Sequence, residues 1–348
     1  MTTIPVHQCE ADVSEGLEGL AWREMKMLFD DRLERTNTPA RAGALRFEYI
    51  GNPYQLLKLR TVQAVYFVQQ FNVPRPKGLL GDEHFKKLLG LIKTVRDLSA
   101  EGAFKTLYIS AAGSDSSVMT RLKEELAKST GLLIGDEEGD LLIRVRKTKD
   151  GDGWETLVRI SARPQATRAW RVCNREGALN APVAYAMNIL SQPTDDDVYL
   201  NMGCGSGTLL IERMAAGDVK SIVGYDTDSV ALECAGRNIE AAGYSEIIKR
   251  RQGNMTDLPL AAKSVDVITA DLPFGQLVGS HDDNVTLYPG VLKEAARLLK
   301  QGGRLVLVSH EVRLLDTLLE NSENWKIEQN LRVTVGGLHP RIWVLSRK

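Results

Sequence analysis

Glycine occupies every second position of one short loop, at Gly203, Gly205 and Gly207. The apolar residues 198–200 before it predict a strand, and a helical pattern follows it. Glycine lets a backbone turn tightly and approach a ligand closely, and the helix after such a loop points its first amides at that ligand. A Gly-x-Gly pattern is often only a tight turn, but its place between a strand and a helix favours a ligand site.

An acidic residue, Asp226, stands about 20 residues further on, where the next predicted strand ends. A carboxylate at that place can accept both hydroxyls of an adenosine ribose. The alternative is that Asp226 only caps the helix that starts near Asp228. The loop has neither the Gly-x-Gly-x-x-Gly of nicotinamide sites nor the Gly-x-x-x-x-Gly-Lys-Ser/Thr of NTP-binding loops.

This arrangement resembles that of class I S-adenosylmethionine-dependent methyltransferases. The similarity extends to residues 254–259 after the third strand, where that family places its adenine contacts. Members often carry an acid where Asn201 and Asn254 stand, and an amide keeps the hydrogen-bonding capacity without the charge. The resemblance implies S-adenosylmethionine as the cofactor, and a set of residues that contact it: Asn201, Gly203, Gly205, Ser206, Gly207, Asp226, Asn254, Met255 and Asp271.

The fourth strand of the second half ends in Asp271-Leu272-Pro273-Phe274-Gly275. This resembles the Asp/Asn-Pro-Pro-Tyr/Phe motif of amino-methyltransferases, although a plain strand-to-turn exit would also use Pro and Gly. The chemistry fits the residue types. The lone pair of an exocyclic amine is delocalised into the base, and the Asp271 carboxylate and the Leu272 carbonyl can each accept one of its hydrogens. Phe274 offers a stacking face worth about 1–3 kcal/mol, and Pro273 stiffens the turn. We therefore predict that residues 271–274 are the catalytic residues, with Asp271 as a hydrogen-bond acceptor rather than a strong base.

The Asp-Leu-Pro-Phe-Gly variant resembles that of tRNA guanine-N2 methyltransferases with an N-terminal THUMP domain. Residues 168–171 and 178–184 resemble a segment that packs over the cofactor in that family, and residues 16–20 resemble its ferredoxin-like opening. The resemblance implies tRNA as partner and methylation of the guanine exocyclic amine. Alternatives are a DNA or rRNA amino-methyltransferase, a protein-glutamine methyltransferase, and a module that binds S-adenosylmethionine without catalysis.

The elements that must position these residues divide the chain in two. From about residue 166 to residue 348, strands alternate with helices, which predicts a mostly parallel sheet covered on both faces. Residues 325–335 and 341–346 predict an antiparallel hairpin at its edge. With the resemblance, the expected fold class is α/β: a Rossmann-like, seven-stranded methyltransferase domain. Residues 1–165 predict smaller α+β units rather than one large sheet, with a helix over residues 53–71. The family implies a ferredoxin-like plus THUMP-like RNA-binding region there.

Composition limits the alternatives. The 348 residues carry 44 Lys and Arg against 45 Asp and Glu, and 43% are hydrophobic, as in ordinary globular proteins. No segment has the sequence of a signal peptide or a membrane span, so we expect a cytoplasmic protein without a membrane partner. The five histidines and four cysteines are scattered, which predicts no metal site and reduced thiols.

One stretch departs from the near-neutral balance. Residues 141–175 hold nine Lys or Arg against three Asp or Glu. Such an excess is typical of a solvated face, but it also fits a strip that contacts RNA phosphates. The candidate phosphate contacts are Arg144, Arg146, Lys147, Arg163, Arg168 and Arg171.

Overall fold

A computed structural model describes residues 5–36, 40–149, 151–274, 280–320 and 322–348. The chain forms two compact units. Unit 1 contains residues 5–13 and 18–166, and unit 2 contains residues 14–17 and 167–348. Among the described residues, no helix combines the length and the apolar composition that crossing a bilayer requires.

Unit 1 is built on one sheet. Its elements in chain order are β1 (Val6–Val13), α1 (Glu18–Phe29), β2 (Leu33–Arg35), β3 (Ala44–Ile50), β4 (Val62–Phe71), α2 (Asp82–Arg96), β5 (Thr106–Ala111), α3 (Ser117–Thr130), β6 (Leu133–Ile134), β7 (Leu141–Lys147) and β8 (Trp154–Arg159). The eight strands follow the order β2-β3-β1-β4-β8-β7-β5-β6. The expectation of separate small units rather than one large sheet is therefore wrong, because β4 pairs with β1 on one side and β8 on the other.

The predicted helix over residues 53–71 is also wrong. Residues Pro53–Lys58 form a short 3-10 helix, and the rest is the central strand β4. The segment is rich in Val, Tyr and Phe, which suit a strand buried on both faces. A continuous apolar run gives no clear period, so periodicity does not distinguish such a strand from a buried helix.

Most of the proposed phosphate contacts are engaged inside the protein. Arg146 donates to Glu10 and Glu155 at 2.6 and 2.7 Å, and the buried Arg46 donates to the same Glu155 at 2.6 Å. Arg144 pairs with Asp12 at 2.7 Å. In unit 2, buried Arg168 pairs with Glu212 and Arg171 donates to the Leu179 carbonyl. Of the six candidates, only Lys147 and Arg163 are classed as exposed.

Unit 2 has a seven-stranded sheet with helices on both faces. Its elements are α4 (Ala181–Leu190), β9 (Val198–Met202), α5 (Thr208–Met214), β10 (Ser221–Asp226), α6 (Ser229–Ala241), β11 (Ile248–Gln252), β12 (Val265–Asp271), α7 (His281–Leu298), β13 (Leu299–Ser309), α8 (Val312–Glu320), β14 (Trp325–Arg332) and β15 (Arg341–Arg347). The order is β11-β10-β9-β12-β13-β15-β14, and β15 is antiparallel to both of its neighbours. This confirms the predicted α/β class with its antiparallel edge hairpin.

Successive residues of β12 show how the sheet is covered. Val267 packs in a cluster with Leu210 of α5 and Ile239 of α6, whereas Ile268 packs in a second cluster with Tyr288 of α7. Neighbouring strand residues point to opposite faces, so each face is buried beneath its own helices. The parallel strands β9, β10 and β12 consequently bring their carboxyl ends to one edge of the sheet.

Residues 14–17 complete this unit from far away in the sequence. The Thr334 amide donates to the Glu15 carbonyl at 2.9 Å. Gly16 has φ +96°, and a Cβ there would lie 1.9 Å from the Arg332 carbonyl oxygen. Only glycine tolerates both the left-handed conformation and this close approach.

Candidate cofactor and acceptor site

The glycine loop turns sharply at the end of β9. Gly203 has φ +67°, and a Cβ there would lie 2.8 Å from the Met255 methyl carbon. Gly207 has φ +86° and directly precedes α5. Cys204 between the glycines is buried, and this burial raises the pKa of its thiol to about 12. Cys204 therefore stays protonated and unreactive at neutral pH.

Asp226 organises this loop. One carboxylate oxygen accepts the Gly205 amide at 2.7 Å, and the other accepts the Asp228 amide at 2.9 Å. Asp228 itself caps α6 by accepting the Val230 amide at 2.9 Å. The helix-cap alternative thus applies to Asp228. Because each carboxylate oxygen has more than one lone-pair site, Asp226 can still accept further hydrogen bonds from a ligand.

A cavity of about 440 Å³ opens at this edge of the sheet. Most of the predicted site residues line it: Gly203, Gly205, Ser206, Asp226, Met255, Asp271, Leu272, Pro273 and Phe274. Its volume is in the range of small-molecule sites. The structure therefore brings the two motifs, which are more than 60 residues apart in the chain, to one cavity.

Three of the predicted cofactor residues are not part of the cavity lining. Gly207 lies behind the loop, against Ala235 of α6. Asn201 is fully buried, and its amide nitrogen donates to the Thr269 carbonyl at 3.0 Å. Asn254 is exposed, and its side-chain oxygen accepts the Thr256 amide at 3.0 Å. A direct cofactor contact for these three stays a prediction.

The segment before α4 also lines the cavity. Residues 178–180 belong to the stretch that resembles a cofactor-covering segment, whereas the sequence analysis did not single out residues 175–177. Arg175 pairs with Asp228 at 2.6 Å. Cys173 in the same segment is joined to Cys234 of α6 by a disulfide, with 5.5 Å between the Cα atoms. The expectation of reduced thiols is wrong for this pair. The two cysteines are 61 residues apart in the chain, so their spacing gave no sign that the fold brings them into contact. Cys9 and Cys204 are free and buried.

The second motif continues from the end of β12. Asp271 is partly buried, and removal from water raises the pKa of its carboxyl group to about 7. Among the residues that the structure describes, none donates a hydrogen bond to this carboxylate, and burial is the cause of the shift. Phe274 lies with its ring centroid 6.2 Å from that of His310, and Gly275 is outside the described residues.

Helix α7 holds this turn in place. The Pro273 carbonyl accepts two hydrogen bonds, from the Asn284 amide at 2.9 Å and from the Tyr288 hydroxyl at 2.6 Å. The Tyr288 hydroxyl also shares a hydrogen bond of 2.6 Å with the buried Ser309 hydroxyl. Asn284 and Tyr288 were missed because their positions on an amphipathic helix resemble ordinary core positions.

These groups give the cavity two chemically different ends. Asp226 and the glycine loop offer carboxylate and amide groups, which suit hydroxyls and a nucleoside. Asp271, the Leu272 carbonyl and the Phe274 ring offer acceptors and a flat surface, which suit an amine on an aromatic base. Among the described residues, no group of three or more His, Cys, Asp or Glu is placed to hold a metal ion.

Comparison with known families identifies the domain. The sequence profile described as "RMKL-like, methyltransferase domain" matches residues 168–341, half of the 348 residues. The chain belongs to this family. The RMKL-like methyltransferase domain thus covers nearly all of unit 2, including both motifs.

Individual relatives agree with this assignment. A Thermus thermophilus protein named tRNA (guanine(6)-N2)-methyltransferase is 26% identical over 97% of this chain and 99% of its own length. A Mus musculus protein named tRNA (guanine(6)-N(2))-methyltransferase THUMP3 is 30% identical over 49% of this chain, which spans 36% of that relative's length. The crystal structure of TrmN from Thermus thermophilus matches 99% of this chain and all of its own, with a TM-score of 0.76 and 24% identity, and so shares the fold.

Proposed function

We propose that this protein transfers a methyl group from S-adenosylmethionine to the exocyclic N2 of guanine in tRNA. The observation that carries the proposal is the single cavity lined by both Asp226 with its glycine loop and residues 271–274. The family supports methyl transfer, and the relatives' names favour a guanine amine in tRNA. We further propose that the protein acts in the cytoplasm.

The residues present fit this cofactor. Asp226 keeps acceptor capacity for the two ribose hydroxyls. The Cβ-free surface of Gly203 and Gly205 allows close approach, and Met255 adds an apolar wall. When bound, S-adenosylmethionine supplies an electrophilic methyl group on sulfur.

Residues 271–274 would prepare the amine. Asp271 and the Leu272 carbonyl accept its two hydrogens and so direct its lone pair away from the ring. Phe274 stacks on the extruded base. As the new N–C bond forms and the S–C bond breaks, N2 must lose one proton. A carboxyl group with a pKa near 7 can hold that proton, which extends the acceptor role predicted from sequence.

The test is methyl transfer from labelled S-adenosylmethionine to unmodified tRNA, total DNA and protein in parallel. The expected product is N2-methylguanosine in tRNA. Asp271→Ala should lower the single-turnover rate by two or more orders of magnitude, about 3 kcal/mol, with little change in cofactor affinity. Label in DNA or in protein glutamine, or binding without transfer, would favour the alternatives. If Asp271→Ala methylates at the wild-type rate, Asp271 is not the acceptor for the amine.

A further inference from the structure

The turn after β13 lies beside the acceptor end of the cavity. β13 pairs with β12 in parallel, with Val308 opposite Asp271, and the Leu272 amide donates to the Val308 carbonyl at 3.0 Å. The next residues, 309–311, therefore leave the sheet next to the catalytic turn. The contact of His310 with the Phe274 ring, at 6.2 Å between centroids, places this turn at the same border.

A chain of hydrogen bonds fixes the two turns to each other. The Pro273 carbonyl accepts from Tyr288, Tyr288 shares a hydrogen bond with Ser309, and the Ser309 hydroxyl accepts the Glu311 amide at 3.0 Å. Both Asp271 and Glu311 contribute, after burial, to raising the pKa of the Tyr288 phenol. The two carboxylates are thus close enough to one hydroxyl to act on it electrostatically.

The Glu311 carboxylate contacts His281 but is still accessible. Both of its oxygens lie 3.0–3.1 Å from His281 Nδ1, at the start of α7, and 18% of its side chain is exposed. An ionised carboxylate only accepts hydrogen bonds. Each oxygen has more lone-pair sites than His281 can use, so the group can accept a further donor from the base.

We propose that Glu311 selects guanine by accepting the N1–H of the base whose N2 amine is held by Asp271. This inference rests on the proposed function and adds the residue that chooses the base. Enzymes that extrude a base read its Watson–Crick edge by hydrogen bonds. Guanine presents N1–H next to the amine, whereas 2-aminopurine carries the same 2-amine beside an N1 that is itself an acceptor. With 2-aminopurine in the site, N1 and the Glu311 carboxylate would both be hydrogen-bond acceptors, so neither would have a donor.

The experiment compares two synthetic tRNAs that differ only at the target, which is guanine or 2-aminopurine. The relatives' names make position 6 the first target to substitute. Single-turnover rates are measured at pH 8 with saturating S-adenosylmethionine. We expect wild type to prefer guanine by roughly 100-fold or more, since a site built for a donor rejects an analogue that lacks it.

The decisive variant is Glu311→Gln, because an amide can rotate to accept from guanine or donate to 2-aminopurine. We expect its preference for guanine to fall at least about tenfold, mainly through faster methylation of 2-aminopurine. Glu311→Ala should also lower the ratio of the rate on the guanine RNA to the rate on the 2-aminopurine RNA. The matched control is Glu320→Gln, which removes an exposed glutamate at the end of α8 and should leave the ratio at the wild-type value.

Cofactor affinity and thermal unfolding show whether each variant is folded. If Glu311→Gln and Glu311→Ala slow both RNAs equally and keep the wild-type ratio, Glu311 has only a structural role and the inference is overturned. A wild-type enzyme that methylates both RNAs at similar rates overturns it as well. A wild-type enzyme that methylates neither contradicts the proposed function itself, and this different result separates the two failures.

Discussion

Asp271 is the residue that we propose as the acceptor of the amine. Burial raises the pKa of its carboxyl group to about 7. Below that pH the free enzyme holds a protonated carboxyl group, which has lost acceptor capacity, and above it the group is an ionised acceptor. We therefore expect the single-turnover rate at subsaturating tRNA to rise with pH through about 7 and then level off.

In Asp271→Asn the rise of the rate with pH should disappear, because an amide does not titrate near pH 7. The plateau should be lower by about tenfold or more, since the amide accepts but holds no proton. Rates measured from pH 5.5 to 9, with tRNA binding measured at each pH, test this. A rise with pH that persists unchanged in Asp271→Asn would assign the titration to another group.

Asp226 has two roles that a substitution would remove together. It accepts the Gly205 and Asp228 amides and is expected to accept ribose hydroxyls. Asp226→Ala should weaken S-adenosylmethionine binding by at least tenfold, because a hydrogen bond to a charged group contributes about 1.5–3 kcal/mol. Calorimetry against Asp218→Ala, an exposed residue of unit 2, measures this. Equal affinities would place the ribose contact elsewhere.

At the scale of elements, α7 supports the turn at residues 271–274, which we propose to be catalytic. Tyr288→Phe removes one of the two donors on the Pro273 carbonyl and also one of the hydrogen-bond partners of Ser309. We expect the methyl-transfer rate to fall about tenfold, because a turn that can move loses orientation, while cofactor affinity stays unchanged. The exposed Tyr54→Phe is the control. A parallel loss of cofactor binding would indicate general unfolding of the site instead.

The elements of unit 2 were predictable because their signals are local. Strand, glycine loop and Asp226 follow one another within one β-α-β unit, and residues 271–274 directly end a strand. Asn284, Tyr288 and Arg175 were not predictable, since their roles depend on contacts made only in the folded chain. β4 was mistaken for a helix because its inward and outward residues are equally apolar, and β1 was not predicted at all.

With a formal net charge of −1, the molecule as a whole does not attract RNA, so the tRNA binding that we propose requires local positive charge. Of the six candidate phosphate contacts in the basic stretch, Lys147 and Arg163 are exposed, whereas Arg146 is engaged with buried carboxylates. We plot the logarithm of the tRNA binding constant against the logarithm of the salt concentration. Replacing Lys147 and Arg163 by Ala should reduce the steepness of this line by about 1–2. Filter binding across salt concentrations, with Arg121→Ala plus Lys128→Ala on α3 as control, tests this. An unchanged slope would leave the stretch as a solvated face.

The short stretch at residues 14–17 belongs to unit 2, although unit 1 both precedes and follows it. Glu15 and Gly16 are synthesised more than 300 residues before their partners at positions 332–334. Domains generally fold as their chain emerges, yet residues 14–17 can make these contacts only after positions 332–334 have been synthesised. Unit 2 can therefore complete its structure only after residues 18–166 of unit 1 have been made, and a fragment that starts at residue 167 would lack a piece of its own fold.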